Sequence, residues 1–434
     1  MKKLLILGLT ALVLAGCAVN PVTGKKELSL MSESQEMKMG RDSYPLATQA
    51  SGGEFRDREL NAYVNSVGKN LAARSHRPTL DYQFNVVNDS GVNAYALPGG
   101  KISITRGLLA KMDNEAELAG VLGHEIGHVT ARHAAEGYTR QVLAGVILGV
   151  GGAVLEASDI EGREIIAGGS ALAAGLDLMK YSRDQERQSD GLGMQYMTDA
   201  GYNPEGFVQT MEILEGLSKN EPSVMESMTS SHPLSRERVA DAKKAAGKYP
   251  AALKTQERLR RDPFQVATRH LKEVQPSYEL AERGMALVAK GKNDEGLKDL
   301  RKAAKEAPGE AKISTMLASA EYKAGNPAAA EWEASRAVEL DPELFDARLT
   351  AGVIYYKRKE NGKSLGELGA AEKLVPGQPQ VAFFRGRNLD DMGQKDKAAK
   401  EYAFVLKNVN KGPMAEYSYK RLTDWGYIKP EKGK

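Results

Sequence analysis

At 434 residues the chain has room for two or three domains, and its 41% hydrophobic and 27% charged content is ordinary for a globular protein. A net charge of +3, with the Lys and Arg of the C-terminal half interleaved with Glu and Asp, excludes the clustered basic face of a nucleic-acid binder. The single cysteine, Cys17, excludes an intramolecular disulfide.

Lys2 and Lys3 precede an apolar run from Leu4 to Leu14, closed by Leu14-Ala15-Gly16-Cys17. A run of roughly 11 residues is too short to span a bilayer, so residues 1–16 read as a secretory signal. Small residues directly before a cysteine resemble the bacterial lipobox, which implies acylation of Cys17 and a lipid anchor. Ala18 in the next position implies sorting to the outer membrane, with the protein facing the periplasm. Residues 17–34 then read as a polar tether.

From 35 to 254 the pattern is mixed helix and short strand. Residues 80–87 alternate apolar and polar, a strand signal, and 93–105 read as strand, Gly-Gly turn, strand. A helix is predicted from Asp113 or Asn114 as N-cap, with Glu115 and Glu117 in its first turn, running to about Gly137. Residues 142–155 and 167–179 are apolar and rich in Gly or Ala. They are too short for a membrane span and read as buried or cleft-covering helix.

The predicted helix carries His124-Glu125-Ile126-Gly127-His128. Two histidines four residues apart leave one face of a helix a turn apart, so both imidazoles can reach one Zn²⁺, and Glu125 can act as general base. Such a site needs a third protein ligand and an open position for water. Ala131 and Ala134 stand where the longer H-E-x-x-H-x-x-G-x-x-H pattern needs Gly and His, which excludes that branch. His133 falls on the opposite face of a continuous helix and reads as a packing or outer-layer residue. Glu186, opening a second helix that runs to about Ala200, is the better third ligand. Asp190, one turn later on the same face, can accept the free ring N–H of a ligand histidine.

Beyond residue 276 an internal repeat appears. Pro308, Pro342 and Pro376 are spaced by 34 residues; so are Gly284, Ala318, Gly352 and Gly386, and Gly291, Gly325 and Gly393, with Lys359 the exception in the last column. A 34-residue period with small residues at helix crossings resembles the tetratricopeptide repeat. Four registers are predicted, 277–310, 311–344, 345–378 and 379–412, with a closing helix to about residue 425.

Asn93-Ala94-Tyr95-Ala96-Leu97-Pro98-Gly99-Gly100, the run from His124 to His133, the segment 183–190, and His232-Pro233 with Arg238 follow in one order. Together they resemble the HtpX/BepA-like family of gluzincin peptidases over roughly residues 30–250. Ser189 stands where that family usually has Ala. The resemblance implies one zinc per chain on His124, His128 and Glu186, with Glu125 as base and Asp190 behind the ligands. It further implies that His232 binds zinc in a resting state or assists the transition state, and that Arg238 stabilises the oxyanion. Lys101–Thr105 is a candidate edge strand for an extended substrate. The fold class expected is mainly α: an α+β zincin-like peptidase domain with a small sheet, then an α-helical tetratricopeptide solenoid, 277–425. The function expected is cleavage of polypeptides in the cell envelope, with the solenoid docking envelope proteins or the outer-membrane assembly machinery. A chaperone or assembly scaffold with a latent peptidase site is the alternative.

Overall fold

The computed structural model of the chain describes residues 17–147, 180–233 and 236–429. The signal segment, residues 148–155 and the whole of 167–179 lie outside these residues. Among the described residues the chain forms two compact units, one reaching Lys272 and the other beginning at Glu273.

In the first unit the expected tether is folded. β1 (Cys17–Val19) pairs antiparallel with β2 (Lys26–Leu28). Asn20 Nδ2 donates to the Ala131 carbonyl at 3.3 Å, the Leu30 N–H donates to Thr139 Oγ1 at 3.0 Å, and Met31 is buried. Polar composition suggested a solvated linker, but these polar groups find buried partners on the domain itself.

α1 (Glu33–Ala50) starts at a capping box in which Ser32 and Gln35 exchange backbone hydrogen bonds. α2 (Arg58–Ala72) buries Leu60, Val64, Val67 and Leu71, the one-sided spacing of an amphipathic helix. β3 (Gln83–Val87), β4 (Ala94–Leu97) and β5 (Lys101–Thr105) form a sheet in the order β3-β5-β4. Lys101–Thr105 is therefore the middle strand, parallel to β3 and antiparallel to β4, and it is no edge for a substrate. Its backbone is used on both sides; the outer strand beside the centre of the domain is β4.

After α3 (Arg106–Ala110) comes α4 (Glu115–Thr130), buried along its whole length and capped by Asn114, whose side chain accepts the Glu117 N–H. A helix buried all round is a core element. The expected continuation to about Gly137 fails at Arg132, which adopts φ 58°, and α5 (His133–Ile147) starts there in a new direction. A left-handed residue with a Cβ costs about 1–2 kcal/mol. Arg132 Nε on Glu36 and Nη2 on the Met31 carbonyl, both at 2.9 Å, hold it in place. Sequence periodicity does not register such a long-range clamp.

α6 (Arg183–Asp199), α7 (Glu205–Asn220), α8 (Glu226–Ser231) and α9 (Arg236–Gly247) follow. The unit continues past the expected boundary at Lys254. Arg260 Nη1 donates to Glu115 Oε1 at 2.9 Å, Lys272 Nζ to the Met112 carbonyl at 2.9 Å, and Phe264, Thr268 and Leu271 are fully buried. Phe264 belongs to α10 (Arg261–Ala267), and Leu271 to the first turn of α11 (Arg269–Ala289).

The second unit is a succession of helix pairs. From α11 it passes to α12 (Asn293–Glu306), α13 (Ala311–Lys323), α14 (Pro327–Leu340), α15 (Phe345–Lys357) and α16 (Asn361–Leu374). α17 (Pro379–Asp391), α18 (Lys395–Asn408) and α19 (Pro413–Asp424) complete it. At the crossing column a Cβ on Gly352 would stand 2.7 Å from Leu368 Cγ, and Ala318 in the same column is fully buried. The fold class is mainly α, a mixed unit with small sheets followed by tetratricopeptide-like helix pairs. Among the described residues no helix is long and apolar enough to cross a membrane.

Gly291, Gly325 and Gly393 turn between the paired helices at φ 80°, 85° and 72°, and Lys359 makes the same turn at 62°. Relieving that strain should stabilise the repeats. Lys359→Gly is expected to gain about 1 kcal/mol and raise the midpoint of the repeat unit by about 2–4 °C in thermal unfolding. An unchanged or lower midpoint would show that Lys359 is not strained.

Candidate metal centre

The site is assembled by two helices that touch backbone to backbone. Ser182 caps α6 through a box with Gln185, which places Glu186 in its first turn. Where α6 crosses α4, a Cβ on Gly123 would lie 2.8 Å from the Gly193 carbonyl oxygen, and one on Gly193 would lie 2.6 Å from the His124 backbone nitrogen. One turn along, the Cβ position of Gly127 is 3.1 Å from Ser189 Cα. No larger residue fits between the helices, so Glu186 reaches the histidine face of α4.

His124 Nε2 and His128 Nε2 come within 3.0 Å of each other. Glu186 Oε1 is 3.3 Å from His128 Nε2, and Glu186 Oε2 is 3.6 Å from His124 Nε2. His232, which follows α8, brings Nδ1 to 3.4 Å from His124 Nε2 and 3.0 Å from Glu186 Oε1. These separations bracket the edge of about 3.3 Å of a tetrahedron with ligand bonds of about 2.0–2.1 Å. Burial holds His128 well below the usual histidine range, so its ring is neutral and keeps a lone pair. Glu125 Oε2 and His232 Nε2 are buried beside the cluster without a hydrogen-bond partner. Two imidazoles, a carboxylate and a third imidazole converging in this way fit a zinc-like metal ion.

Each ligand candidate is supported from behind. Asp190 Oδ1 lies 3.0 Å from His124 Nδ1. Arg238 grips Asp190 with two bonds of 2.7 Å and reaches Glu186 Oε2 with Nη1 at 2.6 Å. Nη1 also donates to the Pro233 carbonyl at 3.0 Å. The guanidinium that the resemblance places at an oxyanion bonds Glu186, which is fully buried, and Asp190, which is partly buried, and it also lines the pocket beside Glu125. Removing one partner of such a pair strands a buried charge, at a cost of about 3–5 kcal/mol.

His133, expected on the far face, comes round to His128 because α4 ends at Thr130, and the two Nδ1 atoms are 2.9 Å apart. Tyr181 went unnoticed in the sequence: its ring stacks on His128 at 3.6 Å between centroids and 19° between planes. A lone tyrosine ahead of a helix cap carries no pattern that singles it out.

Glu125 is buried, and burial pushes its carboxyl up against the opposing pull of His232 and His124. The Ala96 N–H of β4 also reaches it. Burial likewise raises Glu186, but His232, His128 and His124 outweigh it and hold that carboxyl below the usual range. Burial lowers His232, yet Glu125 and Glu186 more than offset it and raise its pKa. Beside Glu125 is an apolar pocket walled by Phe207, Met211, Leu214, Met225 and Met228.

Residues 58–246 match peptidase family M48. This stretch is an M48 metallopeptidase domain. The beta-barrel assembly-enhancing protease of Yersinia pestis is 32% identical over 232 residues, which are 52% of this chain and 47% of that protein. The protein of the same name from Escherichia coli K12 is 30% identical over 230 residues, 52% of this chain and 47% of its own length. The mitochondrial metalloendopeptidase OMA1 of Schizosaccharomyces pombe is 29% identical over 227 residues, 50% of this chain and 63% of its own. The chain thus spans about half the length of the first two curated relatives. Among solved structures, a tetratricopeptide protein of Thermus thermophilus covers 35% of this chain and 83% of its own at 19% identity and a TM-score of 0.32. The reading of the repeats rests on their period and helix pairs instead.

A methyl group at position 193 would force the M48 domain's two central helices apart. Gly193→Ala is expected to destabilise the domain by about 1–3 kcal/mol and to weaken metal retention at least ~10-fold in competition with a chelator. Retention at the wild-type level would mean that the close approach does not set the site.

Proposed function

We propose that the chain is a zinc-dependent endopeptidase of the bacterial cell envelope that cleaves misfolded or stalled envelope proteins. The observation that carries this reading is the convergence of His124, His128 and Glu186 beside a buried Glu125 within an M48 domain. His124, His128 and Glu186 hold one zinc ion. When bound, zinc supplies Lewis acidity, drawing the pKa of a water towards neutrality and polarising the scissile carbonyl.

Glu125 takes the proton of the attacking water and passes it to the leaving amine. Its raised pKa suits that exchange. The outer strand β4, whose Ala96 N–H reaches Glu125, offers backbone pairing to an extended substrate. The neighbouring pocket receives an apolar side chain next to the scissile bond. Asp190 and Arg238 keep the ligands in place.

His232 in the fourth corner describes a resting form, in which substrate enters only once that ring withdraws. The same observation favours a second reading, an assembly scaffold whose peptidase stays latent.

The envelope setting draws on the lipobox-like cysteine and on the named activity of the bacterial relatives. Lipid on Cys17 anchors the protein to the outer membrane, facing the periplasm. Asn20, bonded to the Ala131 carbonyl, follows only three residues later, so about 10 Å of chain separates anchor and domain. The peptidase then works close to the bilayer surface. The repeats dock envelope proteins, including the machinery that assembles outer-membrane proteins, as extended helical stacks do.

Glu125→Gln decides between the readings. The enzyme reading expects full metal content with a loss of about 10²–10⁴-fold in cleavage of an unfolded polypeptide, and failure to restore function in a deletion strain. Full restoration by the inactive protein would select the scaffold.

A further inference from the structure

We propose that Gln188 and His133 form a hydrogen-bond relay that keeps the proton of His128 on Nδ1 and turns its Nε2 lone pair towards the metal centre. The proposal rests on the metal reading above and concerns positioning residues that lie behind a ligand.

Three contacts carry it. His133 Nε2 is 2.9 Å from Gln188 Oε1, and His133 Nδ1 is 2.9 Å from His128 Nδ1. An amide oxygen only accepts, so the proton of a neutral His133 sits on Nε2 and leaves Nδ1 as an acceptor. Two ring nitrogens 2.9 Å apart share one proton between them, so one of the pair donates and the other accepts. His128 Nδ1 must then be the donor, and a neutral ring that is protonated there has its lone pair on Nε2. That nitrogen is the one 3.0 Å from His124 Nε2 and 3.3 Å from Glu186.

The neighbours agree with this direction. The Ser189 hydroxyl, 3.5 Å from His133 Nδ1, can donate to the same accepting atom. The Tyr181 ring on the face of His128 resists the flip that would exchange the two nitrogens. A reversed Gln188 amide would invert every step and put a proton on His128 Nε2, where a metal needs a lone pair. Ligand histidines generally depend on such a partner, whose loss weakens metal binding about 10–100-fold.

The polarity of the relay can be reversed by substitution. Gln188→Glu keeps an acceptor and should bind zinc within about threefold of wild type. Gln188→Lys offers only donors, so it should move the His128 proton to Nε2 and weaken zinc binding at least ~10-fold. The decisive readout is nitrogen NMR of the histidine rings in the metal-free protein, which reports the tautomer whether or not zinc is the physiological ion. Wild-type protein should show His128 protonated on Nδ1, and Gln188→Lys should shift it to Nε2. An Nε2-protonated His128 in the wild type, or a tautomer unchanged in a folded Gln188→Lys protein, overturns the relay. Should Gln188→Lys fail to fold, the wild-type tautomer alone decides. Failure of zinc to bind, with the expected tautomers, would sink the metal reading and leave the relay intact.

Discussion

Everything in the peptidase unit depends on how closely two helices approach. α4 carries both histidines and Glu125, and α6 carries Glu186 and Asp190. Gly123, Gly127 and Gly193 remove the side chains that would hold these helices apart. Glycine within a helix costs about 0.5–1 kcal/mol against alanine. That cost is offset by placing one carboxylate within 3.6 Å of both imidazole Nε2 atoms. Ser189 is fully buried at the same crossing, with its backbone against Gly127.

Around that contact polar side chains are arranged in two chains. Arg238 grips Asp190, which stands behind His124; Gln188 faces His133, which stands behind His128. Both chains end on ring nitrogens that face away from the centre, so both Nε2 atoms are left to converge. The two chains differ in kind. One is ionic and buried, and breaking it strands a charge; the other is neutral and works by choosing a tautomer. At the far end of α4, Arg77 donates to the Val129 carbonyl and Asn20 to that of Ala131. These bonds satisfy carbonyls that a helix end leaves open, and they tie the N-terminal segment to the helix that bears the site.

The chemistry of the centre was legible because short-range spacing encodes it. His124 and His128 share a helix face whatever the rest of the chain does, and Glu186 with Asp190 repeats that logic on α6. The solenoid was legible for a related reason, since each repeat meets only its neighbours and leaves a period in the sequence. Features settled by distant partners were not legible. The halt of α4 at Arg132 depends on Glu36 and Met31, 96 and 101 residues upstream. The folded state of residues 17–32 depends on carbonyl and hydroxyl partners in the segment around α5. Strand order is likewise invisible to a pattern that records only alternation, so the sequence leaves β5 open as a candidate edge or an internal strand, and the sheet makes it the middle one. Tyr181 and residues 255–272 act through packing, which leaves no periodic trace.

The central claim is that this buried constellation exists to hold one metal ion, with Glu186 as the ligand that joins the two helices. Elemental analysis of purified wild-type protein beside Glu186→Gln tests it most directly. Glutamine preserves size and helix propensity but lacks the charge that a divalent ion needs. The account predicts one zinc per wild-type chain and little or none in the folded variant. Full zinc occupancy in Glu186→Gln would contradict it.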